Sequence, residues 1–306
     1  MSLSVGIVGL PNAGKSTLFN ALAARRLAET APRPFTTIEP HEAIVAVPDK
    51  NLEKLRSILV SQYPNIEVVP AVVTFIDIAG LVKGASKGEG LGNQFLAKIR
   101  EVDAIVHVVR TFKNENVPHI QGKIDPQEDV EVVNLELELG GIKDKPVIYV
   151  YNCDEKEIAD VKDGISVCAK LEEELSDLTT EEKKEYLKQS GITESGLEKL
   201  IRKAYALLGL ITFYTIKPSS AKASEGRGGG NQVTAWSLKR GLTALDAAAE
   251  VHTDFAKNFI KAEVINVDKL LVAGGWKEAK EKGEVKLEGK DYLVEDKDVI
   301  EFKVGS

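Results

Sequence analysis

Residues Gly9-Leu10-Pro11-Asn12-Ala13-Gly14-Lys15-Ser16 fit G-x-x-x-x-G-K-[ST], directly after the apolar run Leu3–Val8 and directly before a helical pattern over Lys15–Arg25. Few short patterns restrict a chain as strongly. The glycines let successive backbone N–H groups turn inward around phosphate oxygens, and the helix start adds its partial positive charge. On that reading Asn12, Ala13, Gly14, Lys15, Ser16 and Thr17 line a nucleotide's phosphates. Lys15 bridges the β- and γ-phosphates, and the Ser16 hydroxyl holds Mg²⁺. Without a nucleotide the same residues would be only a tight strand-to-helix turn.

The rest of the first two thirds continues this beginning. Ala43–Val47, Val72–Ile78, Ala104–Val109, Val147–Tyr151 and Ile165–Cys168 read as strands, several apolar throughout as in a buried parallel sheet. Leu91–Glu101 and Gln127–Leu139 carry helical spacing between them. Residues 170–208 look helical, with Thr179-Thr180-Glu181-Glu182 as a helix start. The alternation predicts a doubly wound α/β P-loop NTPase domain. At the end of one strand, Asp77-Ile78-Ala79-Gly80 supplies D-x-x-G. There Asp77 reaches the metal through water, and the Gly80 N–H meets a γ-phosphate. Phe35-Thr36-Thr37-Ile38-Glu39-Pro40 lies between the two motifs, where a loop that senses the γ-phosphate belongs. Thr37 is the chosen second hydroxyl on Mg²⁺, with Thr36 as its rival.

Past a Ser/Gly-rich stretch at Lys217–Gln232 the pattern changes to short strands (Val233–Ser237, Ala262–Asn266, Tyr292–Val294, Val299–Lys303) and a helix at Leu245–Val251. Two domains result, 1–209 and 210–306, the second a small α+β domain. Of 306 residues 43% are hydrophobic and 28% charged, which excludes a disordered or collagen-like chain. The net charge of −7 is concentrated in residues 153–200, with 14 acidic against 7 basic side chains. No basic run marks a nucleic-acid tail, and DNA is not an expected partner. Cys153 and Cys168, the only cysteines, lack metal-ligand spacing and suit a reduced, cytoplasmic setting. No apolar stretch approaches a membrane span, and no leader is evident.

Asn152-Cys153-Asp154-Glu155 stands where guanine-specific members of this fold carry N-K-x-D. The Lys is replaced by Cys153 and the terminal Asp by the longer Glu155, which weakens the case for GTP. With these motifs the chain resembles the Obg-like ATPases of the YchF type. Further stretches in support are Pro34–Pro40, Leu81-Val82-Lys83-Gly84-Ala85-Ser86-Lys87-Gly88-Glu89-Gly90-Leu91-Gly92-Asn93-Gln94-Phe95-Leu96, and Ile99–Ala104. Trp236–Gly241, His252–Phe255 and Gly289–Tyr292 look like that family's ubiquitin-like TGS domain. The resemblance covers nearly the whole chain. It implies an ATP-preferring, Mg²⁺-dependent hydrolase that associates with the ribosome or its large subunit, the TGS domain contacting RNA. It also implies base contacts from Asn152, Cys153, Glu155, Cys168 and Ala169. Cys168-Ala169-Lys170 departs from the Ser-Ala-Lys of related GTPases, but a backbone contact survives that change. A second departure is the coiled-coil insertion that members carry after the helix ending near Leu139. Here Leu139-Gly140-Gly141-Ile142-Lys143-Asp144-Lys145 leads almost directly to the next strand.

Leu81 follows D-x-x-G where Ras-type enzymes place the Gln that orients the attacking water. The resemblance points instead to His119, in the loop Lys113–Lys123, swinging in to position water in a slow intrinsic reaction. In sequence terms alone, His119 equals any solvated loop histidine. His107, within an apolar strand, reads as core; His41 as exposed; His252 as structural. Trp236 and Phe255 read as small-domain core rather than a base-stacking platform. Three other readings stand beside the regulatory ATPase. One is a GTP-preferring switch. Another is an RNA-binding module, whose one-sided patch would involve Lys239, Arg240, Lys257 and Lys261. The third, a small-molecule kinase, lacks an Arg-rich acceptor lid.

Overall fold

The computed structural model describes residues 3–29, 41–61, 63, 65–78, 91–159, 161–217 and 231–305. The expectations for Thr36, Thr37, Gly80 and Leu81 lie outside these residues.

The chain divides into two units, one of residues 1–46 and 73–208, the other of 47–72 and 209–306. In the first, a six-stranded sheet has the order β2-β4-β1-β5-β6-β7. Its strands are β1 (Ser4–Val8), β2 (Glu42–Ala46), β4 (Val72–Asp77), β5 (Ala104–Arg110), β6 (Val147–Asn152) and β7 (Ile165–Val167). β3 belongs to the other unit. β1 is central, parallel to β4 on one side and to β5 on the other. β5–β6 and β6–β7 are parallel too. Every residue of β5 is buried, which explains its apolar sequence. The helices are α1 (Lys15–Glu29), α3 (Leu91–Glu101), α4 (Pro126–Leu139), α5 (Ala169–Ser176), α6 (Thr180–Gln189) and α7 (Gly196–Leu207). The helical stretch expected over 170–208 is three helices, one of them starting from its cap at Thr179 as expected. α6 opens on a capping box in which Thr179 and Glu182 satisfy each other's backbone N–H.

One core cluster joins Val8 and Ile105 of the sheet to Phe95, Leu96 and Ile99 of α3 and Val133 and Leu137 of α4. α4 stops without an arm. The Ile142 N–H donates back to Leu137 at 2.8 Å, the Gly141 N–H to Glu138 at 2.9 Å, and the Ile142 side chain enters that cluster. Lys145 then binds the Arg100 carbonyl at 3.1 Å, and β6 begins two residues later.

In the second unit the sheet order is β11-β10-β12-β8-β9-β3. These strands are β3 (Glu67–Val69), β8 (Leu210–Lys217), β9 (Gln232–Lys239), β10 (Phe259–Asn266), β11 (Lys286–Glu288) and β12 (Asp298–Val304). The sheet is mixed: β8–β9, β10–β12 and β10–β11 are antiparallel, β12–β8 and β3–β9 parallel. α8 (Ala244–Val251) lays Ala244 and Ala247 on a core of Ile211, Phe213, Leu238, Val264 and Ile300. Trp236 packs against that core and donates its indole N–H to Thr215 at 2.9 Å, while Phe255 meets Phe302 edge-on.

Two expectations are corrected. A division at 209/210 assigns residues 47–72 to the first domain, yet β3 pairs with β9, and α2 (Lys50–Leu59) is part of the same unit. Tyr292–Val294 is not a strand; it forms one isolated bridge, Leu293 with Thr243.

Candidate functional site

Because β1 sits where the chain turns from building one side of the sheet to the other, the carboxyl ends of β1, β4 and β5 surround the point where an open α/β sheet binds its ligand. The phosphate loop leaves β1 there. Gly9 has φ 152°, and a Cβ on it would lie 2.3 Å from the Val108 carbonyl oxygen of β5. Gly14 has φ 93°, and its Cβ would lie 2.1 Å from the Asn152 amide nitrogen. Neither position accepts a side chain. Asn12 is also left-handed, with φ 63°.

Lys15 opens α1 with its side chain buried, and its ammonium donates to the Leu10 carbonyl at 2.8 Å. Burial pushes its pKa down to about 8, with the Asp77 carboxylate acting in the opposite direction. Asp77, the last residue of β4, pairs in register with Ile7, two residues before the loop begins at Gly9. Ser16 is exposed at the start of α1. A hydroxyl and a carboxylate are hard oxygen donors of the kind Mg²⁺ takes together with phosphate oxygens, so these residues fit that ion. Among the described residues no group of three or more His, Cys, Asp and Glu side chains forms a metal cluster by itself.

The loop after β6 is tied to the phosphate loop. The Asn152 side chain donates to the Ala13 carbonyl at 2.9 Å and accepts from the Ala169 N–H at 3.0 Å. Its own carbonyl receives the Thr111 and Phe112 N–H groups. Thus Ala13, Gly14, Asn152 and Ala169 are brought together. Cys153 is not turned to the same side: its thiol lies 3.1 Å from the Ser166 hydroxyl and is buried. Cys168 is buried as well. Glu155 is exposed, and its carboxylate accepts the Tyr186 hydroxyl from α6 at 2.6 Å.

His119 is not a solvated loop residue. Its Nδ1 accepts the Gln121 N–H at 3.2 Å, so Nε2 carries the proton and donates to Asp129 of α4 at 2.9 Å. The two side chains are only 4% and 3% exposed. Burial raises the Asp129 pKa, and His119 opposes the rise. Arg110, buried at the end of β5, donates to the carbonyls of Phe112, Asn114, Val117 and Pro118 and stacks over the Phe112 ring. Sequence reasoning missed Arg110, Asp129 and Tyr186. The one signal for Arg110 was a charge closing an otherwise apolar strand. His107 is buried as expected, with neither ring nitrogen bonded.

Residues 4–153 match the MMR_HSR1 family, "50S ribosome-binding GTPase", and residues 210–305 match YchF-GTPase_C, "Protein of unknown function (DUF933)". The chain is 39% identical to the "Ribosome-binding ATPase YchF" of Bacillus subtilis over 380 residues, covering 99% of both chains. The chain belongs to the YchF family. The Haemophilus influenzae protein of the same description is 40% identical over 378 residues, again with 99% of each chain covered. The solved Schizosaccharomyces pombe YchF GTPase superposes with a TM-score of 0.81 at 29% identity, covering 99% of this chain and 98% of that one. An alignment of 380 positions against a chain of 306 leaves more than 70 positions of the Bacillus YchF without a counterpart here. Among the described residues no helix is long and apolar enough to cross a membrane.

Proposed function

We propose that this YchF-family chain is a Mg²⁺-dependent ATPase that hydrolyses slowly and acts on the ribosome in the cytoplasm. The observation that carries the reading is the Asn152 bridge, which joins the phosphate loop at Ala13 to the base-side loop at Ala169 and so makes one nucleotide cradle. Lys15 leaves the Leu10 carbonyl to meet the β- and γ-phosphates. Ser16, Thr37 and Asp77 would hold Mg²⁺, directly or through water, and the ion would supply neutralisation of the charge that develops on the transferred phosphoryl group. The Gly80 N–H meets the γ-phosphate. His119 supplies the water positioning that Leu81 cannot. In the second unit Lys239, Arg240, Lys257 and Lys261 are all exposed and offer phosphate contacts to ribosomal RNA.

The base preference rests on Glu155 and on the absence of the N-K-x-D lysine. A guanine reading is favoured by one finding, that the matched nucleotide family and the fission-yeast structure are both named GTPases. Calorimetric titration of ATP and GTP decides between them, with Glu155→Asp as comparison. Tighter ATP binding supports the proposal; equal or tighter GTP binding overturns it.

A further inference from the structure

Two donors from different elements meet on one carbonyl beside His119. The Asn12 carboxamide, from the phosphate loop, donates to the Pro118 oxygen at 3.0 Å. Arg110 reaches the same oxygen at 3.5 Å, the outer limit of a hydrogen bond, while its better contacts hold the segment before it, 2.9 Å to the Val117 oxygen and 3.3 Å to those of Phe112 and Asn114. Asn12 is therefore the stronger donor to Pro118. That carbonyl belongs to the peptide plane that also contains the His119 nitrogen, so a bond to it sets the direction in which His119 begins.

His119 itself is closed off. One ring nitrogen takes the Gln121 N–H and the other donates to Asp129, whose second carboxylate oxygen is buried with no partner. Withdrawing the imidazole would leave that carboxylate with still less, and the arrangement favours the latched position. Something must offset this if His119 is to reach a nucleotide. Among the described residues Asn12 joins the two sides: it donates to Pro118, and its left-handed backbone lies within the loop that wraps the phosphates.

We propose that Asn12 is a positioning residue that couples the conformation of the phosphate loop to the release of His119 from Asp129. Its backbone adjusts to the γ-phosphate, its carboxamide leaves Pro118, and the Pro118–His119 peptide is free to turn. This rests on the assignment of His119 to water positioning given above.

Amide hydrogen exchange over residues 119–123 of the full chain tests the coupling, measured without nucleotide, with ADP and with a non-hydrolysable ATP analogue at saturation. In the wild type the analogue speeds exchange and ADP does not. Asn12→Gly keeps the left-handed backbone without strain and removes the donor. Without nucleotide, its exchange at 119–123 runs about fivefold faster than wild type, as for one lost hydrogen bond, and the analogue adds nothing further. Asn12→Asp keeps shape and backbone but turns an acceptor toward the carbonyl, and loosens the segment in the same way. A wild-type segment indifferent to the analogue, or two variants that exchange and respond as wild type does, overturns the coupling. ATP hydrolysis by His119→Ala is measured alongside. Wild-type turnover there sinks the water-positioning role of His119, whereas the exchange results judge Asn12 independently.

Discussion

The Asn152 side chain donates to the Ala13 carbonyl at 2.9 Å across a sequence separation of 139 residues, and the same carboxamide accepts the Ala169 N–H. Asn152→Ala strands both buried partners, each at about 1–3 kcal/mol. The variant is expected to unfold at lower denaturant than wild type and to bind ATP at least tenfold more weakly (~1.4 kcal/mol). Denaturant titration and calorimetry check the two halves. Unchanged ATP affinity would mean that the bridge only holds the fold.

Lys15 predicts opposite pH trends for stability and binding. Its folded pKa is about 8 against 10.5 for the free side chain. Between those values the unfolded chain holds a proton that the folded chain has released, so this group's contribution to stability rises with pH across the window. A bound triphosphate demands the ammonium back. ATP binding should therefore take up a proton above pH 8 and weaken as the pH climbs. Calorimetry in two buffers of different ionisation enthalpy reads the uptake directly, and Lys15→Met should abolish it.

His107 carries two unbonded, buried ring nitrogens, and burial, reinforced by the Lys15 charge, pushes its pKa down to about 3. The unfolded residue takes a proton below about 6.5, so its stabilising share is present above that pH and disappears as pH falls toward 3. Replacing it by Met removes the unpaired nitrogens at similar volume. Thermal melting should show a higher midpoint at neutral pH, from a stability gain of about 1 kcal/mol, and a shallower decline in acid. A steeper decline would count against this account.

Tyr214 of β8 is buried and donates its hydroxyl to Asp49 at 2.6 Å, while Asp49 also caps α2 through the Asn51 N–H. Tyr214→Phe should cost about 1.5–3 kcal/mol, the value of a hydrogen bond to a charged group. The loss belongs to the second unit. Denaturation followed by the fluorescence of Trp236 and Trp276, both in that unit, should move with it.

What was legible in the sequence was local. The strand, loop and helix from Ser4 to Glu29 declare themselves because two glycines, Lys15 and the flanking apolar run are contiguous. The capping pair Thr179 and Glu182 lies within four consecutive residues, and the short turn after Leu139 is visible as a deficit of chain. What escaped was long-range. Leu52, Leu55 and Leu59 form a buried stripe at helical spacing, but nothing nearby says that this helix belongs with residue 209 onward; that is set by β3 meeting β9. Tyr292–Val294 has strand composition, yet Leu293 alone forms a ladder pair. The latch on His119 depends on an aspartate ten residues away, on another element, and on which imidazole nitrogen is already engaged.

Because residues 47–72 leave the first unit and return to it, the backbone passes between the units at three places, near 46, 72 and 208. After a single proteolytic nick at any one of them the backbone still crosses between the units at the other two, and the cut piece is held by pairing within its own unit. The same threading bears on heredity. A crossover at residue 209 would hand on a C-terminal unit without the strand that pairs with β9 and without the aspartate that Tyr214 binds, so a recombinant of this kind inherits the second unit broken unless a second crossover carries 47–72 with it.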